Sequence, residues 1–236
     1  MTGVTLAELL ERNERHADGL DFDYFDAVQL GQRPAIVSIC CSDSRVSQEG
    51  MWSVEEPGWL FTASNIGNRV WSTVDGDRVV DGSVCYPIEY TDTNTVAVVG
   101  HTGCGAITAA YEAVAGDGQT DDDVPPGVAD NIESLRGVIE SGLESIDETA
   151  HSDRDAIVNR LVEHNVDRQI EFLQNSPDVP DDESILGFVY DFQGGYRTVR
   201  GRCYLTNIDG ETDVDRLEAQ VPDGYTDYVR RLQRSE

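Results

Sequence analysis

The stretch Thr95-Val96-Ala97-Val98-Val99-Gly100-His101-Thr102-Gly103-Cys104-Gly105 decides the architecture of this chain. Its first half is an almost unbroken apolar run rich in β-branched residues, as expected of a strand buried on both faces. Its second half is a glycine-containing turn that leads into a helical pattern over 105–116. The same strand signature recurs upstream in Ala35-Ile36-Val37-Ser38-Ile39-Cys40 and Trp59-Leu60-Phe61-Thr62-Ala63, and downstream in Ile185-Leu186-Gly187-Phe188-Val189-Tyr190. Helical periodicity covers about 78–91, 128–148 and 153–175, and opens the chain over 4–18 and 21–30. This alternation predicts an α/β fold: a single domain, residues 1–236, with a mainly parallel central β-sheet flanked by helices. Residues 1–30 read as an N-terminal helical arm and 207–236 as a C-terminal helical extension. The acidic segment from Ala115 to Val128, with Asp121-Asp122-Asp123, reads as a solvated loop, and no internal repeat is visible.

The chain has 236 residues, 45 acidic and 17 basic, for a net charge of −28. All 17 basic residues are arginine, and there is no lysine. Nucleic acid requires a cationic surface and is excluded as a partner; an anionic membrane surface is repelled. The 39% of hydrophobic residues lie in interspersed runs and predict a packed core rather than an acidic disordered tail. Such a surface stays hydrated in concentrated salt, where a Debye length of about 3 Å screens the self-repulsion. We therefore expect a cytoplasmic protein of a salt-in halophile. Met1–Glu8 shows no signal-peptide pattern, and no run approaches the roughly 20 apolar residues that span a bilayer. The five cysteines, Cys40, Cys41, Cys85, Cys104 and Cys203, are odd in number and predict ligands or core thiols rather than a disulfide framework.

Two short segments follow directly on predicted strands: Cys40-Cys41-Ser42-Asp43-Ser44-Arg45-Val46 and His101-Thr102-Gly103-Cys104-Gly105-Ala106. In parallel sheets, sites form outside the carboxyl ends of the strands. His101 and Cys104 lie three residues apart across a glycine turn, so both can converge on one ion, and a cysteine from a neighbouring strand end supplies a third ligand. Two thiolates and one imidazole form a soft, tetrahedral set suited to Zn²⁺ with the fourth position open.

Cys41-x-Asp43-x-Arg45, followed across residues 46–100 by His101-x-x-Cys104, resembles the signature of the β-class carbonic anhydrases. The surroundings resemble that family too, in the same order. They are Glu56-Pro57-Gly58-Trp59-Leu60-Phe61, Asn65-Ile66-Gly67-Asn68, Gly82-Ser83-Val84-Cys85-Tyr86, Asn165-Val166-Asp167-Arg168-Gln169 and Gly187-Phe188-Val189-Tyr190-Asp191. Together with the lysine-free acidic composition, the resemblance gives the expectation of a halophilic, haloarchaeal member. The resemblance implies one Zn²⁺ per chain on Cys41, His101 and Cys104, and reversible hydration of CO₂ to bicarbonate and a proton. Cys40 competes with Cys41 as ligand, but only Cys41 stands two before Asp43, and alternation points such neighbours in opposite directions. Cys40, Cys85 and Cys203 then fall to core packing.

The resemblance also makes Asp43 and Arg45 catalytic. Zinc lowers the pKa of its water to about 7; Asp43 orients the resulting hydroxide, and Arg45 holds Asp43 ionised and turned away from the metal. In some members that aspartate closes onto zinc, together with a bicarbonate pocket of tryptophan, glycine and arginine. Ser38, Cys40 and Ser64 stand at the matching positions here, so an open site is expected. Three departures are notable: Ser64 for the arginine usual before Asn65, Glu56 for a substrate-holding glutamine of the plant-like subgroup, and Pro87 in the helix carrying Tyr86, which implies a kink or an early turn. His16, His151 and His164 fall in predicted helices, and none is an obvious proton shuttle. The expected partners are CO₂ or bicarbonate and a second copy of the chain, since the family builds dimers by exchanging N-terminal helices; a homodimer or a dimer of dimers follows. Two other readings keep the fold: a CS₂ or COS hydrolase, and a catalytically silent zinc-binding regulatory protein.

Overall fold

The computed structural model describes residues 3–116, 124–146, 153–197 and 199–232. In chain order the elements are α1 (Leu6–Asp18), β1 (Ile36–Cys41), α2 (Gln48–Met51), β2 (Leu60–Asn65), β3 (Trp71–Val74), β4 (Asp77–Val80), α3 (Gly82–Tyr90) and β5 (Thr95–His101). They continue with α4 (Gly105–Ala115), α5 (Pro126–Ser145), α6 (Arg154–Gln174), β6 (Ser184–Asp191), β7 (Arg202–Ile208) and the short α7 (Val214–Glu218). Five strands form the central sheet in the order β2-β1-β5-β6-β7. The first four run parallel and β7 runs antiparallel to β6, so the sheet is mainly parallel, as expected. Among the described residues no helix is long and apolar enough to cross a membrane.

The continuous apolar runs become strands because both faces of the sheet centre are covered. Val37, Ile39, Val96, Val98 and Val189 join the main core, where α6 packs on β5 and β6, α3 packs on β1 and β2, and α4 and α5 lie against α6. Alternation turns Cys40, Ala97 and Val99 to the other face, beneath Val46, Met51 and Trp52. Asp153 caps α6 by accepting the Asp155 N–H, and Pro126 opens α5 where a missing N–H costs nothing.

Several boundaries differ from the sequence expectation. Residues 21–30 form no helix but successive turns, with Tyr24 N–H on Asp21 O, Asp26 N–H on Asp23 O and Val28 N–H on Phe25 O. Aspartates compete for nearby backbone groups and favour such turns. The helix expected from residue 78 starts at Gly82, because 77–80 pair with β3 across a hairpin whose Asp75 and Gly76 both have positive φ. α3 continues past Pro87 to Tyr90, where Thr91 donates both its N–H and its hydroxyl to Pro87 O and the helix stops.

At the C-terminus, residues 207 and 208 complete β7, and the expected helical extension is limited to α7 and a single 3₁₀ turn, Thr226–Tyr228. Pro222 and Gly224, with φ +90°, interrupt it. Most of the acidic loop, including Asp121–Asp123, and His151 lie outside the described residues.

Candidate metal centre

β1 and β5 are hydrogen-bonded neighbours that end side by side, β1 in Cys41 and β5 in His101. Cys41 shares the main core with Val37 and Ile39, while Cys40 belongs to the opposite cluster, as alternation requires. Thr102 and Gly103 turn the chain so that Cys104 becomes the N-cap of α4. Gly103 has φ +62°, and a Cβ there would lie 2.5 Å from the Gln193 amide, so the turn needs glycine. Cys41 Sγ and Cys104 Sγ lie 3.9 Å apart, and one donor atom from each of Cys41, His101 and Cys104 lies within 4.8 Å of the others. His101 and Cys104 are each 1% exposed.

The donor set fits zinc. Ligand bonds of about 2.3 Å in a tetrahedron hold two sulfurs about 3.8 Å apart. His101 Nδ1 lies 3.0 Å from Thr102 O, and since a carbonyl only accepts, Nδ1 donates and Nε2 is the nitrogen left to bind an ion. That buried Nε2 has no hydrogen-bond partner among the described residues, and a metal ion would supply one. The two thiols share a proton: the hydrogen bond from Cys104, helped by His101, draws Cys41 well below the usual thiol range, while Cys104 is pushed up by the same bond and by burial. The amides of Ala106 and Ile107 at the start of α4 oppose that rise.

Asp43 and Arg45 form a local unit. Asp43 Oδ1 accepts the Arg45 backbone N–H and Nε–H, both at 2.9 Å, and Oδ2 accepts Nη2 at 2.6 Å. The two-residue spacing permits this Asx-type turn and the bidentate pair together. The guanidinium holds the Asp43 carboxyl down to about 2 from its usual 3.8. Both oxygens of Asp43 therefore face arginine, with Oδ2 3.8 Å from His101 Nε2. Arg45 Nη2 also donates to Gly103 O at 3.1 Å.

A loop after β6 covers this end of the sheet. Buried Asp191 accepts the N–H groups of Gly194, Gly195 and Tyr196 and the Thr102 hydroxyl. The loop so fixed carries Phe192, whose ring stacks on His101 at 5.8 Å and lies 4.7 Å beneath the Arg45 guanidinium.

A family model described as carbonic anhydrase matches residues 36–196, more than half of the chain. The chain belongs to the carbonic anhydrase family. It is 30% identical over 189 residues to a carbonic anhydrase of Pseudomonas aeruginosa, covering 78% of this chain and 81% of that one. It is 29% identical over 210 residues to a carbonic anhydrase of Synechococcus elongatus, covering 85% and 71%. The solved β-carbonic anhydrase of Coccomyxa matches with a TM-score of 0.69 at 24% identity, over 92% of both chains. One of two tetrameric β-carbonic anhydrases of Sordaria macrospora matches with a TM-score of 0.67 at 22% identity, over 84% of this chain and 95% of that one. The fold is thus that of the β-class carbonic anhydrases.

In this carbonic anhydrase fold, all five singled-out residues, Cys41, Asp43, Arg45, His101 and Cys104, meet at one place. Cys40 and Cys203 are buried elsewhere and protonated, Cys203 pushed up to about 12 by burial. Ser38 and Ser64 are engaged by Trp52 and Gln48. Glu56 is exposed on a groove with Val28 and Trp59. His16 lies on exposed α1, and His164 pairs with Ser141. Sequence reading does not single out Phe192 or Asn159, which accepts the Gly103 N–H, because both reach the site only through tertiary contacts.

Proposed function

We propose that this member of the carbonic anhydrase family is a zinc-dependent enzyme that reversibly hydrates CO₂ to bicarbonate and a proton. The buried Cys41–His101–Cys104 set, with its orphan imidazole nitrogen, carries this reading. Zinc held by these three side chains supplies hydroxide at neutral pH by lowering the pKa of water to about 7. Asp43 stays ionised at that pH and accepts a hydrogen bond from the nucleophile, orienting a lone pair toward CO₂. Arg45 clamps Asp43 on both oxygens and would hold it ionised and oriented beside a bound ion. Phe192 shields His101 from water on one side.

The reading extends to assembly and habitat. α1 buries none of its residues, and Leu6, Leu9 and Leu10 stand exposed, which supports a homodimer or dimer of dimers built through the N-terminal arm. A charge of −28 without lysine supports work in the cytoplasm of a salt-rich cell.

Stopped-flow CO₂ hydration in high salt, run beside a Cys41→Ser variant with bound metal measured, tests the reading. Wild type accelerates hydration and carries one zinc per chain, and the variant loses both. Equal rates in the two proteins, or turnover of CS₂ or COS without turnover of CO₂, overturn it.

A further inference from the structure

We propose that Asn159 of α6 is a positioning residue for the Asp43–Arg45 pair, acting through the Gly103 turn; its kinetic test rests on the CO₂-hydration reading. Asp43 and Arg45 are bound to each other within three consecutive residues, so the pair can move as one body. The hydrogen bond that ties it to the His101–Cys104 segment runs from Arg45 Nη2 to Gly103 O, beside the Phe192 ring and the 3.8 Å approach of Asp43 Oδ2 to His101 Nε2. Gly103 is a turn residue. It lies between the end of β5 and the start of α4, with φ +62°, outside both ladders. Its N–H donates to Asn159 Oδ1 at 2.8 Å, a side chain 56 residues away on the long helix that packs against β5 and β6. Gly103 therefore has its N–H fixed by α6 and its carbonyl aimed at Arg45. The N–H and the carbonyl of Gly103 belong to successive peptides hinged at its Cα, so loss of the Asn159 bond frees rotation at that hinge, and the carbonyl turns away from Arg45 and from the Asp43 carboxylate that stands 3.8 Å from His101 Nε2.

Asn159 is buried and borders a surface cavity with Gln193, Gly195 and Arg200. Asn159→Asp keeps the accepting oxygen, whereas Asn159→Ala removes it. Both variants and wild type are compared as full-length chains loaded with zinc for kinetics and with Co²⁺ for visible spectra. Asn159→Ala is expected to lower kcat for CO₂ hydration about tenfold with KM and metal content unchanged, and to shift the cobalt d–d absorption. Asn159→Asp restores both readouts. An unchanged spectrum in Asn159→Ala overturns the proposal, as does failure of Asn159→Asp to restore either readout or a parallel loss of metal in both variants. If wild type itself does not hydrate CO₂, the functional reading fails and the cobalt spectra alone decide: a shift in Asn159→Ala reversed in Asn159→Asp sustains the positioning role.

Discussion

The two ends of this chain are held in opposite ways. At the C-terminus, Arg231 reaches into the protein and binds Asp167 Oδ2 at 2.7 Å, Glu163 Oε1 at 3.2 Å and Thr206 O at 2.6 Å. Glu163 is fully buried and also accepts the Tyr196 hydroxyl and the Leu232 N–H, each at 2.8 Å. At the N-terminus, α1 has a regular cap, Thr5 accepting the Glu8 N–H, and an apolar stripe, but none of its residues is buried. Beyond it, Phe22 and Leu30 are fully exposed. The C-terminal segment is thus secured by polar contacts made inside one chain. The N-terminal arm presents apolar surface that the described residues leave uncovered, which is the pattern of an interaction site.

The largest effect expected from this contrast is at the buried pair. Arg231→Met removes the cation that bridges buried Glu163 and Asp167, and removing one partner of such a pair costs about 3–5 kcal/mol. Denaturant unfolding in high salt measures it. The double variant Arg231→Met, Glu163→Gln should recover part of the loss, because the buried charge that faced Arg231 is gone. A cost below about 1 kcal/mol in the single variant would show that the segment is secured by other contacts.

The arm comes next. Leu6→Glu with Leu10→Glu should leave the folded chain and its metal content intact while shifting sedimentation toward monomer. Fully burying a leucine is worth about 1.5–3 kcal/mol, so two charged replacements remove much of what the arm contributes to association. An unchanged sedimentation profile would place the association surface elsewhere on the chain.

Both termini read alike in the sequence, as helical, and the reason the helix is long at one and short at the other is physical. Leu6, Leu9 and Leu10 repeat at helical spacing without a breaker, whereas Pro222 and Gly224 cut the C-terminal pattern after α7. The same distinction runs through the fold. β1 and β5 are legible because a strand covered on both faces must be apolar throughout. β7, Arg202-Cys203-Tyr204-Leu205-Thr206-Asn207-Ile208, mixes polar and apolar residues, and its place beside β6 is decided by tertiary pairing. The metal centre is legible because each half is local: an Asx turn places Arg45 on Asp43, and one glycine turn brings Cys104 back toward His101. What joins the halves is not legible. Asn159, Asp191 and Phe192 act on residues 56 to 147 positions away, and no spacing rule connects them.

The smallest expected effect compares two arginines directly. Arg12 pairs with Glu8 at 2.9 Å, a shorter contact than the 3.2 Å between Arg231 and Glu163. Distance alone would rank the Arg12 pair higher, but burial reverses the order. The Arg12 and Glu8 side chains are 63% and 42% exposed, so water and salt screen their attraction and both are free to solvate when apart. An i,i+4 pair of this kind contributes about 0.3–0.5 kcal/mol at low salt, and less in concentrated salt. Arg12→Ala should therefore leave the unfolding midpoint unchanged in high salt, against the large loss in Arg231→Met under the same conditions. A comparable loss from Arg12→Ala would mean that Arg12 is buried in the assembled protein, and would locate the α1 contact on its charged face rather than on Leu6, Leu9 and Leu10.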